Sequence, residues 1–265
     1  MSNTIAMQKN FSVRYALLDL KRNLLIVSAT FFAIALPVCM YLIFGTMADY
    51  SEIELANGSG NVGAAVMVGM ATYGALTAAV GLTASAAVEL HTGWGRQLAV
   101  TPLSHTGYVL NKIVVTIIFS ALPVVAVLAA GALSGARMQW YLWLTIPGLI
   151  LVCAVMFSLY GLAFGLLFRS ETANNAAGGL LVLFMFMGNG FAPLSGVLLE
   201  LSVFTPAWGV LQLTKWPLME GTTFDIGSDA LVQYEMWQVA ANIGVWTLIF
   251  AALCFVGARR HTGRK

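Results

Sequence analysis

WYLWLTIPGLILVCAVMFSLYGLAFGLLF, running from Trp140 to Phe168, contains no charged side chain. Its length and composition identify a membrane-crossing helix and decide the fold class. Five further uncharged runs flank it, at Leu24–Phe44, Val62–Val88, Ile113–Leu133, Ala176–Leu199 and Trp237–Gly257. Even the shortest, of about 21 residues, reaches roughly 30 Å as a helix and can cross a hydrocarbon core. The chain is 59% hydrophobic and 9% charged, with a mean hydropathy of +0.84. No soluble domain of 265 residues has enough interior for so much apolar surface. The expectation is an all-α membrane protein, a single domain over residues 1–265 with six transmembrane helices.

Cytoplasmic loops collect Lys and Arg, so the loop charges orient the chain. With the N-terminus inside, the cytoplasmic segments hold Lys9, Arg14, Lys21, Arg22, Arg96, Lys112, Arg169, Arg259, Arg260, Arg264 and Lys265; only Arg137 and Lys215 fall outside. Acids lean outward, with Asp19, Glu89 and Glu171 the internal ones. Both termini are therefore expected in the cytoplasm, in the plasma (inner) membrane. The basic residues follow the membrane plane and form no compact patch, which argues against a nucleic-acid partner.

The first span is preceded by Lys9–Arg22, which alternates Phe11, Tyr15, Leu17, Leu18 and Leu20 with four cations. It reads as a helix in the cytoplasmic interface against membrane lipid, not as a cleaved signal sequence. Cys39, Cys153 and Cys254 lie in spans without C-x-x-C spacing, and His91, His105 and His261 share no ligand spacing. No metal site and no disulfide are expected. Asn57-Gly58-Ser59 is formally a glycosylation acceptor on the outer side.

Phosphate-binding, nucleophile-elbow and zinc-hydrolase motifs are absent, and no acid or acid–His pair sits mid-span. A membrane-embedded enzyme is disfavoured, and no catalytic residue is assigned. An ion-coupled carrier would show an ionisable group at membrane depth. Energy for transport should therefore come from a separate partner.

Small residues four apart, at Gly131 with Gly135, Gly161 with Gly165, and along Ala71, Ala75 and Ala79, suit close helix packing. The fifth span differs, carrying Phe184, Met185, Phe186, Met187, Asn189 and Phe191 before Pro193. Met and Phe make an adaptable apolar surface and Asn189 offers a hydrogen-bonding handle, so Met185, Phe186, Asn189 and Phe191 are candidates to line a substrate path. Ordinary packing is the competing reading.

The loop between the second and third spans reads Glu89-Leu-His-Thr-Gly93-Trp94-Gly-Arg96-Gln-Leu98-Ala-Val-Thr101-Pro102-Leu103, continuing to Tyr108 and Lys112. Thr101-Pro102 stops one helix and can start another, so a short turn around Trp94–Val100 should lie outside the membrane, with Glu89, Gly93 and Arg96 on one face.

In this loop the chain resembles permease subunits of ABC-2 type transporters, whose E-x-x-x-G-x-x-R-x-L-x-x-x-P-L pattern is met by Glu89, Gly93, Arg96, Leu98, Pro102 and Leu103, with Lys112 following. Ser195-Gly196, Pro206-Ala-Trp208 and Trp216-Pro217-Leu218 resemble later signatures of the family. Leu199-Glu200 departs from it, where many members carry an aromatic residue and a Pro. The resemblance implies an N-terminal interfacial helix, a cytoplasmic coupling helix between spans 2 and 3, and short external helices between spans 5 and 6. It implies coupling to the ATPase through Glu89, Gly93, Trp94, Arg96, Leu98 and Pro102. The partners implied are an identical or homologous second permease subunit and two copies of an ABC ATP-binding subunit. No cofactor is expected in this chain; ATP and Mg belong to the ATP-binding subunit. Amphipathic small molecules of drug or antibiotic type fit the apolar fifth span as exported substrate. A lipid or glycan exporter, or a sensory or structural subunit, is the alternative.

Overall fold

The computed structural model describes residues 12–46, 51–89, 105–168, 171–225, 227–228 and 230–262. The described residues are mostly helical, in the order α1 (Val13–Leu24), α2 (Val27–Tyr41, continued by a π turn Leu42–Thr46), α3 (Val62–Glu89), α4 (His105–Leu133), α5 (Leu142–Phe168), α6 (Glu171–Met187), α7 (Gly196–Ser202) and α8 (Pro206–Met219). An antiparallel hairpin follows, β1 (Thr222–Asp225) and β2 (Ala230–Gln233), and then α9 (Met236–Thr262).

Four of these helices, α3, α4, α5 and α9, are long and apolar enough to cross a membrane, and α7 with α8 makes a fifth only if that pair, bent by 87°, counts as one span. The first and fifth expected spans depart from what was foreseen. The first begins at Val27 rather than Leu24, because the chain turns at Leu25–Ile26, where the Ile26 N–H donates to the Asn23 carbonyl and the Thr30 hydroxyl donates to the carbonyls of Asn23 and Leu24. The fifth expected span, 176–199, is not one helix. Helix α6 runs over 17 residues, about 26 Å, and stops at Met187. A β-carbon on Gly188 there would stand 2.9 Å from both the Ala207 side chain and the Trp208 amide nitrogen, and Asn189 takes a left-handed φ of 66°. The Asn189 side-chain oxygen then accepts the Leu194 N–H at 2.9 Å, closing the turn.

Helix α3 is the axis of the bundle, with 83% of its most apolar stretch buried, and α4, α5, α2, α6 and α8 surround it. Small residues make that crowding possible. A β-carbon at Gly161 would stand 2.6 Å from the Val80 carbonyl oxygen, and Gly165 faces Ala84 and Ala87 in the same way. At Gly74 a β-carbon would lie 2.7 Å from Pro123 of α4 and 3.1 Å from Pro37 of α2. The Gly131–Gly135 pair forms no helical face, since Gly131 seats the Met67 sulfur but Gly135 lies beyond the end of α4 at φ 96°. By contrast α9 is only 11% buried over its apolar stretch and turns Trp237, Val245, Leu248 and Phe255 outward.

One end of the bundle is tied by loops. Asn61 donates to the Gly135 carbonyl and accepts the N–H groups of Ala64 and Arg137, while the Asn57 amide donates to the Leu218 carbonyl. Gln212 reaches the hairpin through Thr223 at 2.9 Å. Here lie Glu52, Glu54, Arg137, Glu220 and Asp225; α1, Glu89 and Lys112 lie at the opposite end.

Candidate coupling site and ligand-facing region

Spacings of three and four residues aim one face of α1, Ala16, Asp19 and Asn23, into the protein, leaving Val13, Leu17 and Leu18 exposed. Helix α4 answers with Tyr108, Asn111, Lys112, Val115 and Phe119, all buried. Where the faces meet, the Lys112 ammonium donates to both Asp19 carboxylate oxygens, at 2.9 and 2.8 Å. Both side chains are almost wholly enclosed, Asp19 at 4% and Lys112 at 10% exposure. Arg22 bridges outward, 3.0 Å from Asp19 and 2.7 Å from Glu89, whose other oxygen lies 3.8 Å from Lys112. Two acids and two bases thus close a ring joining α1, the last residue of α3 and the first turns of α4. Burial works against the Arg22 charge, but the hydrogen bond it donates to Glu89 and the fields of Glu89 and Asp19 outweigh it and hold the guanidinium above its ordinary value.

The inner and outer halves of this ring differ in kind. A half-exposed pair such as Arg22–Glu89 contributes roughly 0–1 kcal/mol, so its role is geometric. The enclosed Asp19–Lys112 pair instead ties each partner to the other, because the charge left behind by removing one would be buried with only the half-exposed Arg22 or the more distant Glu89 to offset it. Of the six candidate coupling residues the structure describes Glu89; Gly93, Trp94, Arg96, Leu98 and Pro102 lie outside the described residues. Asp19 and Arg22 were not among the candidates.

The four candidate lining residues come together at the end of α6 but differ in environment. Met185 is fully buried, with its methyl group against Gly190. Phe191 is buried edge-on to Tyr73, ring centroids 5.0 Å apart, and to Phe186 at 4.7 Å. Phe186 itself is 51% exposed, beside exposed Leu183 and Met187. Asn189 spends its side-chain oxygen on the turn.

A cation expected in an outer loop also lies here. Lys215 of α8 is partly buried, with its Cε 3.5 Å and its Nζ 3.6 Å from where a β-carbon on Gly69 would sit. The interior is therefore not free of ionisable groups.

A family model for the ABC-2 type transporter matches residues 13–204, from the first residue of α1 to just past α7. The chain belongs to that family. As an ABC-2 permease it is a multi-pass membrane component of an ABC transporter and not itself catalytic, and its family works with an ATP-binding subunit. A comparison with curated proteins finds no match. The matched stretch includes the whole ion-pair ring, whereas Lys215, the hairpin and α9 lie beyond it.

Proposed function

We propose that this permease, paired with an identical or homologous permease subunit and seated on two ATP-binding subunits that hold ATP and Mg, exports amphipathic small molecules by alternating access. The observation that carries the coupling half of this reading is the ion-pair ring. It pins both ends of the 90–104 connection, Glu89 at its start and Lys112 in the helix that follows, to the same helix α1. A push on such a clamped loop moves α1, α3 and α4 together rather than flexing one linker. In this proposal the turn Trp94–Leu98 enters a groove on the ATP-binding subunit, Gly93 allows close backbone approach, Arg96 meets an acidic partner, and Pro102 restarts the chain toward α4. The substrate half rests on the apolar outer face of α6, where Phe186 is the exposed member and Met185, Asn189 and Phe191 shape its support.

The end carrying Lys112 and the basic face of α1 is assigned to the cytoplasm of the plasma (inner) membrane by the inward preference of cations. A reporter fused after Lys265 should accordingly report cytoplasm, and tags inserted at Gly58 or Gly227 the outside. Finding the Gly58 tag and the C-terminus on the same side would reverse the plan.

Transport is tested with the permease co-expressed with its ATP-binding subunit, in inside-out vesicles given dodecyl phosphate, dodecyltrimethylammonium or dodecyl maltoside. ATP-dependent accumulation of at least one is expected. Phe186→Ala should change the ranking of the three by roughly three- to tenfold, the range an aromatic contact contributes. A change in expression level alone would make Phe186 a packing residue.

A further inference from the structure

We infer that Lys215 receives the acidic head group of an anionic amphiphile, a carboxylate or phosphate carried on an apolar body. The inference rests on the exporter reading above and names the substrate class it handles.

Lys215 is seven residues of α3 below Val62 by its contact with Gly69, so it sits about 10 Å inside that end of the bundle. A cation at that depth loses hydration and calls for a counter-ion. Among the described residues no carboxylate pairs with it and no hydrogen bond holds its ammonium, which is not wholly enclosed. Lys112, the other interior cation among them, has its acid in place. The contrast separates a structural charge from one left ready for an outside anion.

The surroundings suit a head group rather than a buried ion alone. Gly69 and Gly190 bring bare backbone beside the lysine, since a β-carbon at Gly69 would also lie 3.0 Å from the Gly190 carbonyl oxygen. The Thr72 and Thr214 hydroxyls, one turn and one residue away, lie 3.2 Å apart and also bond the Val68 and Leu211 carbonyls, so they add polarity at this depth while the lysine is the donor left for a head group. Next to Gly190, the edge-on rings of Tyr73, Phe191 and Phe186 lead from this polar point to the exposed side of α6. A charged end at Lys215 and an apolar body along those rings describe an amphiphile of one sign. A cationic amphiphile meets repulsion at the same place, so the lysine selects by exclusion as well as attraction.

The test uses purified full-length permease without its ATP-binding subunit, in phosphatidylcholine nanodiscs, so that a failure of coupling or transport cannot be mistaken for a failure here. Binding of dodecyl phosphate, dodecyltrimethylammonium and dodecyl maltoside is measured for wild type, Lys215→Met and Lys215→Arg, with thermal unfolding checked for each. Lys215→Met should weaken dodecyl phosphate by about ten- to a hundredfold, the effect of a lost charge-assisted hydrogen bond, and leave dodecyl maltoside unchanged. Lys215→Arg, which keeps the charge, should hold the preference for phosphate over trimethylammonium. Unchanged phosphate binding in a folded Lys215→Met protein overturns the assignment, as does an equal loss of all three probes. If Lys215→Met does not fold, loss of the phosphate preference in folded Lys215→Arg overturns it and retention supports it. Adding phosphatidylglycerol to the nanodiscs separates the two sources of the anion. If that lipid abolishes the lysine-dependent binding, the head group at Lys215 belongs to a resident lipid and the substrate assignment falls.

Discussion

Asp19→Leu should cost this permease roughly 3–5 kcal/mol, because it takes from the enclosed Lys112 ammonium the acid it donates to and leaves it only Glu89, at 3.8 Å. The cost should appear as a large drop in thermal midpoint and in the yield of folded protein from membranes. Asp19→Leu combined with Lys112→Met should regain most of the loss, since a well-filled apolar pair is often as stable as the ion pair it replaces. Such a recovery separates buried-charge physics from a general intolerance of change on α1. If the single variant melts as wild type does, the ring has no energetic standing. Arg22→Ala serves as the internal contrast: that side chain is 44% exposed, so a shift within about 1 kcal/mol is expected.

Arg96→Glu should have the largest effect on function, if the turn around it docks on the ATP-binding subunit as proposed. Reversing a charge at a desolvated contact costs about 2–5 kcal/mol, which is roughly thirtyfold to several-thousandfold in affinity. Co-purification of the ATP-binding subunit should fail, or its ATP hydrolysis should stop responding to substrate. Arg96→Lys and Arg96→Gln discriminate further. If Arg96 only anchors topology, both are harmless and the reversal leaves partner binding intact.

Long uncharged runs bounded by charges or turn residues were the most legible part of the sequence. The expected Val62–Val88, Trp140–Phe168 and Trp237–Gly257 spans meet helices Val62–Glu89, Leu142–Phe168 and Met236–Thr262. Helix α4 begins at His105, eight residues before the expected Ile113, because hydropathy counts Asn111 and Lys112 as loop residues while α1 buries both in a helix. The break after Met187 escaped for the opposite reason. Gly188, Asn189 and Gly190 are small and uncharged, so they leave apolar character intact while the backbone turns away. The dense small and proline punctuation from Gly188 to Pro193 was the available signal.

The ion-pair ring was half legible. Glu89 and Lys112 stood out through the loop pattern, but Asp19 lies 93 residues from Lys112 and no local periodicity reports such a pairing. An acid in an otherwise basic segment, spaced by three and four from Ala16 and Asn23, was the clue. The hairpin after α8 was missed because each strand has only four residues, too few for alternation to show. Lys215 was read as an outer-loop residue because α8 looked like an external connection. Only the contact with Gly69 places it inside.

The central position of α3 has a consequence for biosynthesis. Its best window has a mean hydropathy of 1.6, against 2.7 for α4 and 2.4 for α5, and its Gly- and Ala-rich surface meets protein rather than lipid in the finished bundle. A nascent segment is sorted by how well it dissolves in the bilayer, before its neighbours exist. Helix α3 leaves the ribosome ahead of α4 and α5, so it enters the membrane as the weakest of these three inserters. Its residence there depends on α4 arriving to shield it. The helix that organises the mature permease is thus the least self-sufficient of the three while it is being made.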